Sequence, residues 1–140
     1  MIYVDTSVLA AYYCPEPLSA RAQRVLQEAV ERAISPLVEL ELVSAIARKV
    51  RTHQMRRKDA QRILAVLRSH LEHGLYTRLG IDAVHFAKAR EWLETFGIPL
   101  QTLDALHVAV AVMNGCPIMT ADATLAKACA KVGVTARLIR

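Results

Sequence analysis

Four acidic residues, Asp5, Glu41, Asp104 and Asp122, have the surroundings from which a reactive site could be assembled. Asp5 interrupts the nearly apolar run MIYVDTSVLAAYY, and an ionised carboxylate is costly to bury without a compensating partner. It is a helix cap, a salt-bridge partner, or one ligand of a site drawn from distant parts of the chain. Asp122 directly follows IMT much as Asp5 follows IYV; its bland use is to cap or turn the chain before ATLAKA. Asp104 falls in the first turn of an expected helix, where a negative charge already complements the helix dipole. Glu41 shares a helical face with Leu37, Leu40, Ser44 and Ala45, whereas Glu39 falls on the opposite side. Leu42, Val43, Ile46 and Val50 make that far side apolar as well. A helix apolar nearly all round lies in the core or covers an interface.

Several carboxylates meeting at one place would repel each other and raise each other's pKa values. A hard divalent cation removes the conflict, because Mg²⁺ and Mn²⁺ prefer oxygen ligands. No Cys or His pair stands at zinc spacing. A partly hydrated ion held by carboxylates binds a phosphate oxygen and lowers the pKa of bound water. The complementary feature is a basic stretch. Arg48, Lys49, Arg51, Arg56, Arg57, Lys58 and Arg62 face only Asp59, a net +6 within a chain whose total is +5. Such a cluster is either a solvated helix–loop–helix corner or a polyanion-binding surface. An acidic metal site near it points to phosphodiester hydrolysis of a nucleic acid.

The elements that must position these residues alternate. MIYVD reads as a buried strand of a parallel sheet, and TSVLAAYY as a helix that Thr6 or Ser7 could cap. Leu18, Ala22, Val25, Leu26 and Ala29 recur at helical spacing. AISP is a short strand, closed by Ser35 as N-cap and Pro36 at the first helical position. Helices are expected over Leu37–Arg51 and Asp59–His73, the second stopped by Gly74. YTRLGI reads as a strand, and Asp82 begins a helix reaching Phe96 and stopped by Gly97. Thr102 caps LDALHVAVAVMNG, CPIMTAD is a strand, ATLAKACAKVG is a helix stopped by Gly133, and ARLI is the last strand. This pattern predicts an α/β/α sandwich, a single domain over residues 1–140 with a mostly parallel central sheet and right-handed crossovers. In such sheets sites lie beyond the carboxyl ends of strands, at a topological switch point. Asp5 and Asp122 both fall at a carboxyl end.

Composition bounds the rest. At 140 residues, 54% hydrophobic, with five Gly and five Pro, the chain is an ordered Ala/Leu/Val-rich globular protein able to bury a core without staples. No window approaches the ~18 apolar residues of a membrane span, and the N-terminus lacks the basic region of a signal peptide. Cys14, Cys116 and Cys129 are odd in number and without metal spacing, which predicts reduced thiols in a cytoplasmic protein.

The motifs together resemble a PIN-domain ribonuclease, most closely the VapC-like toxins of type II toxin–antitoxin systems. IYVDTSVLAAYY is similar to the family's opening block with Asp5, SPLVELELVSAIAR to its second with Glu41, LQTLDALHVAVAV to its third with Asp104, and CPIMTADATLAKACAKVGV to its fourth with Asp122. The resemblance spans essentially the whole chain. It implies a three-layer PIN fold and Mg²⁺ or Mn²⁺ at the carboxylates. It further implies endonucleolytic cleavage of RNA that leaves a 5′-phosphate and a 3′-hydroxyl, a homodimer, and a cognate VapB-like antitoxin whose peptide tail fills the groove leading to the acids.

On that reading Asp5, Asp104 and Asp122 are metal ligands, and Glu41 holds a second ion or orients the attacking water. Ser7 and Thr120 position water or an acid, or serve as caps. His107, on the face of Asp104, is a packed or supporting histidine. Arg48, Lys49, Arg51, Arg56 and Arg57 track RNA. Gln101 stands where many relatives carry a basic residue, leaving that edge less positive. A haloacid-dehalogenase-like phosphotransferase would want an acid where Ser7 stands, a receiver would want an acid pair and a late Lys, and no GxxxxGK[ST] loop exists. The remaining alternative is a PIN-like module that binds RNA or protein without catalysis. The presence of all four acids argues against it.

Overall fold

The computed structural model describes residues 1–140. Its strands are β1 (Ile2–Val4), β2 (Arg32–Ile34), β3 (Thr77–Arg78), β4 (Ile118–Thr120) and β5 (Ala136–Leu138). Its helices are α1 (Thr6–Tyr13), α2 (Ser19–Glu28), α3 (Pro36–Arg51), α4 (Arg57–Glu72), α5 (Ala83–Glu94), α6 (Thr102–Met113) and α7 (Ala123–Lys131). The sheet order is β3-β2-β1-β4-β5, and every pairing is parallel. Tyr3 lies opposite Ala33 on one side and Ile118 on the other. The chain winds outward from β1 through β2 to β3, then returns to the far side of β1 for β4 and β5. With right-handed crossovers this reversal puts α1–α4 on one face and α5–α7 on the other. The expected α/β/α sandwich is therefore present, and its switch point falls between β1 and β4.

The central strands are short and saturated with core residues. Tyr3, Val4, Ile118, Met119 and Thr120 are all wholly buried, as strands covered on both faces must be. At one edge the sheet is blunted instead: β3 has two residues, both exposed, so the expected strand over YTRLGI shrinks to Thr77–Arg78. A short edge offers little backbone for unwanted pairing. Gly74 and Gly133 stop α4 and α7 at φ of 68° and 75°, a conformation free of cost only without a side chain.

Several helix boundaries differ from the sequence expectation, each for a local reason. Asp5 is the N-cap of α1, its carboxylate accepting from the Ser7 amide at 3.4 Å, so neither Thr6 nor Ser7 serves. Thr102 is the first helical residue of α6, with Gln101 as an N-cap that makes no side-chain bond. The fourth helix begins at Arg57, which leaves Asp59 in its first turn beside the Arg56 guanidinium at 3.0 Å. Asp82 caps α5 as expected, in a capping box with His85. That helix ends at Glu94, and the left-handed residue beyond it is Phe96, at φ 59°, rather than Gly97.

The third helix carries the main surprise of the fold. Val38, Leu42 and Ile46 form its buried stripe. The face shared by Leu37, Leu40, Glu41, Ser44 and Ala45 opens instead onto a groove. Leu40 is 68% exposed. Glu39 points elsewhere and is gripped by both arms of Arg78 at 2.6 Å.

Candidate active site

Three of the four acids owe their position to a strand end or a helix start. Asp5 leaves β1 as the cap of α1, Asp122 follows β4 as the cap of α7, and Asp104 sits in the first turn of α6. Glu41 reaches the same locus from the second turn of α3.

Asp5 is 6% exposed and is satisfied on one oxygen. Its Oδ2 accepts from Ser7 Oγ at 2.5 Å and from Thr120 Oγ1 at 2.8 Å. Those hydroxyls are themselves fixed: Ser7 Oγ accepts from the Ala121 amide at 2.9 Å, and Thr120 Oγ1 from the Asp122 amide at 3.0 Å. Oδ1 has only the distant Nε2 of His107 at 4.0 Å. Asp122 is arranged the same way. Its Oδ1 caps α7, accepting from the amides of Thr124 at 2.7 Å and Leu125 at 3.2 Å, and Oδ2 is left over. Capping and membership of the site are thus compatible, one oxygen for each.

Glu41 is held on Oε1 by Thr6 Oγ1 at 2.9 Å and by His107 Nε2. Burial pushes its pKa up, but the hydrogen bond and charge of His107, with the Thr6 bond, outweigh that and hold it below the ordinary value. Asp104 is the opposite case. Burial raises its pKa first and Asp5 raises it further; His107 opposes, and Asp122 and Glu41 add to the rise. Asp104 thus lies within electrostatic reach of the other three acids. No three of the chain's His, Cys, Asp and Glu side chains are drawn together tightly enough to share an ion between them. The donors are nonetheless of hard-cation type, all carboxylate oxygens. No Lys or Arg offsets the repulsion at Asp104, and a divalent cation would. The residues present fit Mg²⁺ or Mn²⁺ by their chemistry.

The surrounding surface is open. A recess of about 490 Å³ holds Glu41 and Asp104, walled by Leu93, Leu100, Gln101 and Leu103. It shares Glu41 and Leu103 with a groove of about 780 Å³ that runs down α3 past Ser44 to Arg48 and Arg51. The sequence-predicted basic residues therefore divide. Arg48 and Arg51 line the groove that leads from the acids, while Arg56 and Arg57 line a neighbouring cleft of about 960 Å³ at the α3–α4 turn. Lys49 lines both.

His107 is 1% exposed and, as expected, packed and supporting. Its other nitrogen, Nδ1, meets Tyr3 Oη at 2.8 Å, and that phenol meets Ser35 Oγ at 2.7 Å. Tyr3, Ser35 and the role of Thr6 toward Glu41 were not legible as parts of the site. The one available signal was a tyrosine in an otherwise aliphatic strand, since a buried phenol hydroxyl needs a partner.

The PIN domain family model matches residues 2–131. Among solved structures, the chain is similar to FitAcB from Neisseria gonorrhoeae at 21% identity and a TM-score of 0.68, covering 97% of this chain and 96% of that one. It is similar to VapC20 from Mycobacterium tuberculosis, described as a sarcin-ricin loop cleaving toxin, at 21% identity and a TM-score of 0.71, covering 91% and 95%. The similarity to VapBC2 from Rickettsia felis, bound to a DNA fragment from its promoter, is 16% with a TM-score of 0.72 over 100% of both chains. No curated protein matches the sequence. At these identities the likeness is one of fold.

Proposed function

Because the chain belongs to the PIN domain family, we propose that it is a Mg²⁺- or Mn²⁺-dependent endoribonuclease and the toxin of a type II toxin–antitoxin pair. The observation that supports this reading is the placement of Asp5 and Asp122 at the carboxyl ends of the neighbouring strands β1 and β4 and of Glu41 and Asp104 in one recess, beside a groove ending in Arg48 and Arg51. Support for an antitoxin partner comes from a similar structure described as a toxin–antitoxin complex, from Klebsiella pneumoniae. The partner would be a VapB-like protein whose peptide tail enters the groove. A homodimer and a cytoplasmic setting belong to the same proposal. Three unpaired, buried thiols suit a reducing compartment, and no helix is long and apolar enough to cross a membrane.

Asp5, Asp104 and Asp122 would hold the ion directly or through its bound waters, with Glu41 holding a second ion or orienting the attacking water, and when bound the ion supplies charge neutralisation at the phosphate and acidification of water. Everything else is the work of this chain. Ser7 and Thr120 keep Asp5 Oδ2 occupied, so Oδ1 is the oxygen offered to the site. Thr6 and His107 occupy Oε1 of Glu41 and leave Oε2 to accept a proton from, or orient, the attacking water. In-line attack then leaves a 5′-phosphate and a 3′-hydroxyl. Arg48 stands seven residues from Glu41, two turns or about 10 Å along α3 on the same face. It is placed to take a phosphate flanking the scissile one, with Lys49 and Arg51 beyond it. Arg56 and Arg57 would meet RNA that extends past the groove.

The test is cleavage of a structured-RNA pool by purified, antitoxin-free protein with Mg²⁺ or Mn²⁺, with chelator, and beside Asp5→Asn. Discrete fragments bearing 5′-phosphates, lost with chelator and with the substitution, are the expected result. Divalent metal binding that depends on Asp5, without RNA cleavage, would leave the site intact and the substrate wrong. No metal binding at all would move a non-catalytic binding module ahead.

A further inference from the structure

A hydrogen-bonded line runs through the protein interior to Glu41, and only its last member touches the acid. Ser35 Oγ and Tyr3 Oη are 2.7 Å apart, Tyr3 Oη and His107 Nδ1 are 2.8 Å apart, and His107 Nε2 meets Glu41 Oε1. Ser35 and Tyr3 are wholly buried and His107 is 1% exposed, so water does not replace the contacts among these three. Each member comes from a different part of the fold: the end of β2, the middle of β1, α6 and α3. A carboxylate can only accept, which requires a proton on Nε2 of His107. In the neutral ring Nδ1 is then an acceptor, so the Tyr3 hydroxyl donates to it. With its proton committed, Tyr3 accepts from Ser35. In the neutral ring the Tyr3 donor and the Glu41 acceptor select the same tautomer from opposite ends of the imidazole.

We propose that Ser35, Tyr3 and His107 form a positioning relay that fixes the Nε2–H tautomer of His107 and thereby presents Glu41 to the reaction through Oε2 alone. Thr6 Oγ1 donates to the same Oε1 at 2.9 Å, so two donors from two helices saturate that oxygen. Without the relay the imidazole could carry its proton on Nδ1, turn a lone pair toward Glu41, and push the carboxylate out of place. Tyr3 is thus a positioning residue for an acid it does not touch. It stands two residues before Asp5 on the same side of β1, so one strand serves two of the four acids. This inference rests on the reading of Glu41 as part of the reactive cluster.

The tautomer is measurable without any reaction. Long-range ¹⁵N–¹H spectra of the full-length, metal-free protein should show His107 protonated on Nε2. Tyr3→Phe should convert it to a mixture of tautomers while the remaining resonances keep their dispersion. Titration with Mn²⁺ should then show a loss of affinity of about 10-fold for Tyr3→Phe. In a Glu41→Gln background the same Tyr3 change should add nothing, because a relay that acts through Glu41 has nothing left to act on. His107→Gln, which keeps an N–H for Glu41, should hold Mn²⁺ better than His107→Leu, and this pair decides the matter if Tyr3→Phe fails to fold. A proton on Nδ1 in the wild type overturns the proposal, as does an equal effect of Tyr3→Phe with and without Glu41. Absence of RNA cleavage by the wild type would instead strike the ribonuclease reading, since none of these readouts requires turnover.

Discussion

The hydroxyl of Thr120 donates to Oδ2 of Asp5 across 2.8 Å, although 115 residues separate them. This bond ties the carboxyl end of β4 to that of β1, the two parallel strands between which the winding of the chain reverses. The same hydroxyl accepts from the amide of Asp122 at 3.0 Å, so one atom sets the spacing of two acids. Thr120→Val keeps the shape and removes both bonds. Stranding the Asp122 amide and taking one donor from Asp5 Oδ2, which keeps Ser7, should cost about 1–3 kcal/mol in urea unfolding, and Thr120→Ser should restore most of it. Mn²⁺ affinity should fall by roughly 10-fold or more in the Val variant. Unchanged affinity would mean that Ser7 alone positions Asp5.

Asp104 is the acid on which the others press. Its pKa is raised by burial and then by Asp5, with Asp122 and Glu41 adding. A carboxyl that ionises less readily folded than unfolded makes the folded state bind more protons across that window. The metal-free protein therefore loses stability at this residue as pH rises from the ordinary carboxylate range through the raised folded value. Asp104→Asn should raise the Tm of chelator-treated protein at pH 7 and flatten this part of the pH profile. Added Mn²⁺ should stabilise the wild type, because it binds only the folded state, and stabilise Asp104→Asn much less. A fall in metal-free Tm on substitution would show that no repulsion is stored there.

How far the sequence carried depended on the kind of interaction. Asp5 and Asp122 were legible because a strand end followed by an acid is a local pattern whose partner is dictated by sheet topology. Helical spacing put Glu41 and Glu39 on different faces, yet the face of Glu41 opens onto the groove while Val38, Leu42 and Ile46 take the core. Spacing reports which residues share a face and says nothing about what covers it. The Ser35–Tyr3–His107 line was out of reach for a different reason. Its members are 32 and 104 residues apart, and each is an ordinary residue for its own element. Only the packed fold makes them neighbours. The α1 cap, open in the sequence between Asp5 and the two hydroxyls after it, was decided by a related cause. Thr6 and Ser7 are good caps by type, but Asp5 held the capping position, and the two hydroxyls were drawn to Glu41 and to Asp5 itself.

The division of the basic stretch into two clefts yields a prediction about RNA. Arg48 and Arg51 line the groove that contains Glu41, whereas Arg56 and Arg57 line the cleft beyond the α3–α4 turn. Paired reversal of Arg48 and Arg51 to Glu should raise KM for RNA by at least 10-fold and reduce the salt slope of binding by about two, roughly one for each lost phosphate contact. Reversal of Arg56 and Arg57 should weaken only longer RNAs. Binding titrations of short and long RNAs across a salt series separate these outcomes. An unchanged affinity and slope for Arg56 and Arg57 on every RNA would remove that cleft from the RNA path.

Phe96 presents a cost with no visible return in the folded chain. It is 96% exposed and sits at φ 59°, directly after the C-cap of α5. A side chain there crowds the following carbonyl, at roughly 1–2 kcal/mol for a residue other than Gly. Gly97, the next residue, would have taken the position without cost, yet the turn falls one residue earlier because Ile98 packs against the core and Leu100 is buried. Those two residues set where the chain must enter α6, and the register of the stop follows from them. Phe96→Gly should therefore raise stability by about 1 kcal/mol, a Tm increase of roughly 2–4 °C for a chain of this size. Phe96→Ala should gain little, since it retains the Cβ that is crowded. Thermal unfolding of the two variants side by side is the check, and equal effects would mean that exposure of the ring, rather than the backbone, sets the cost.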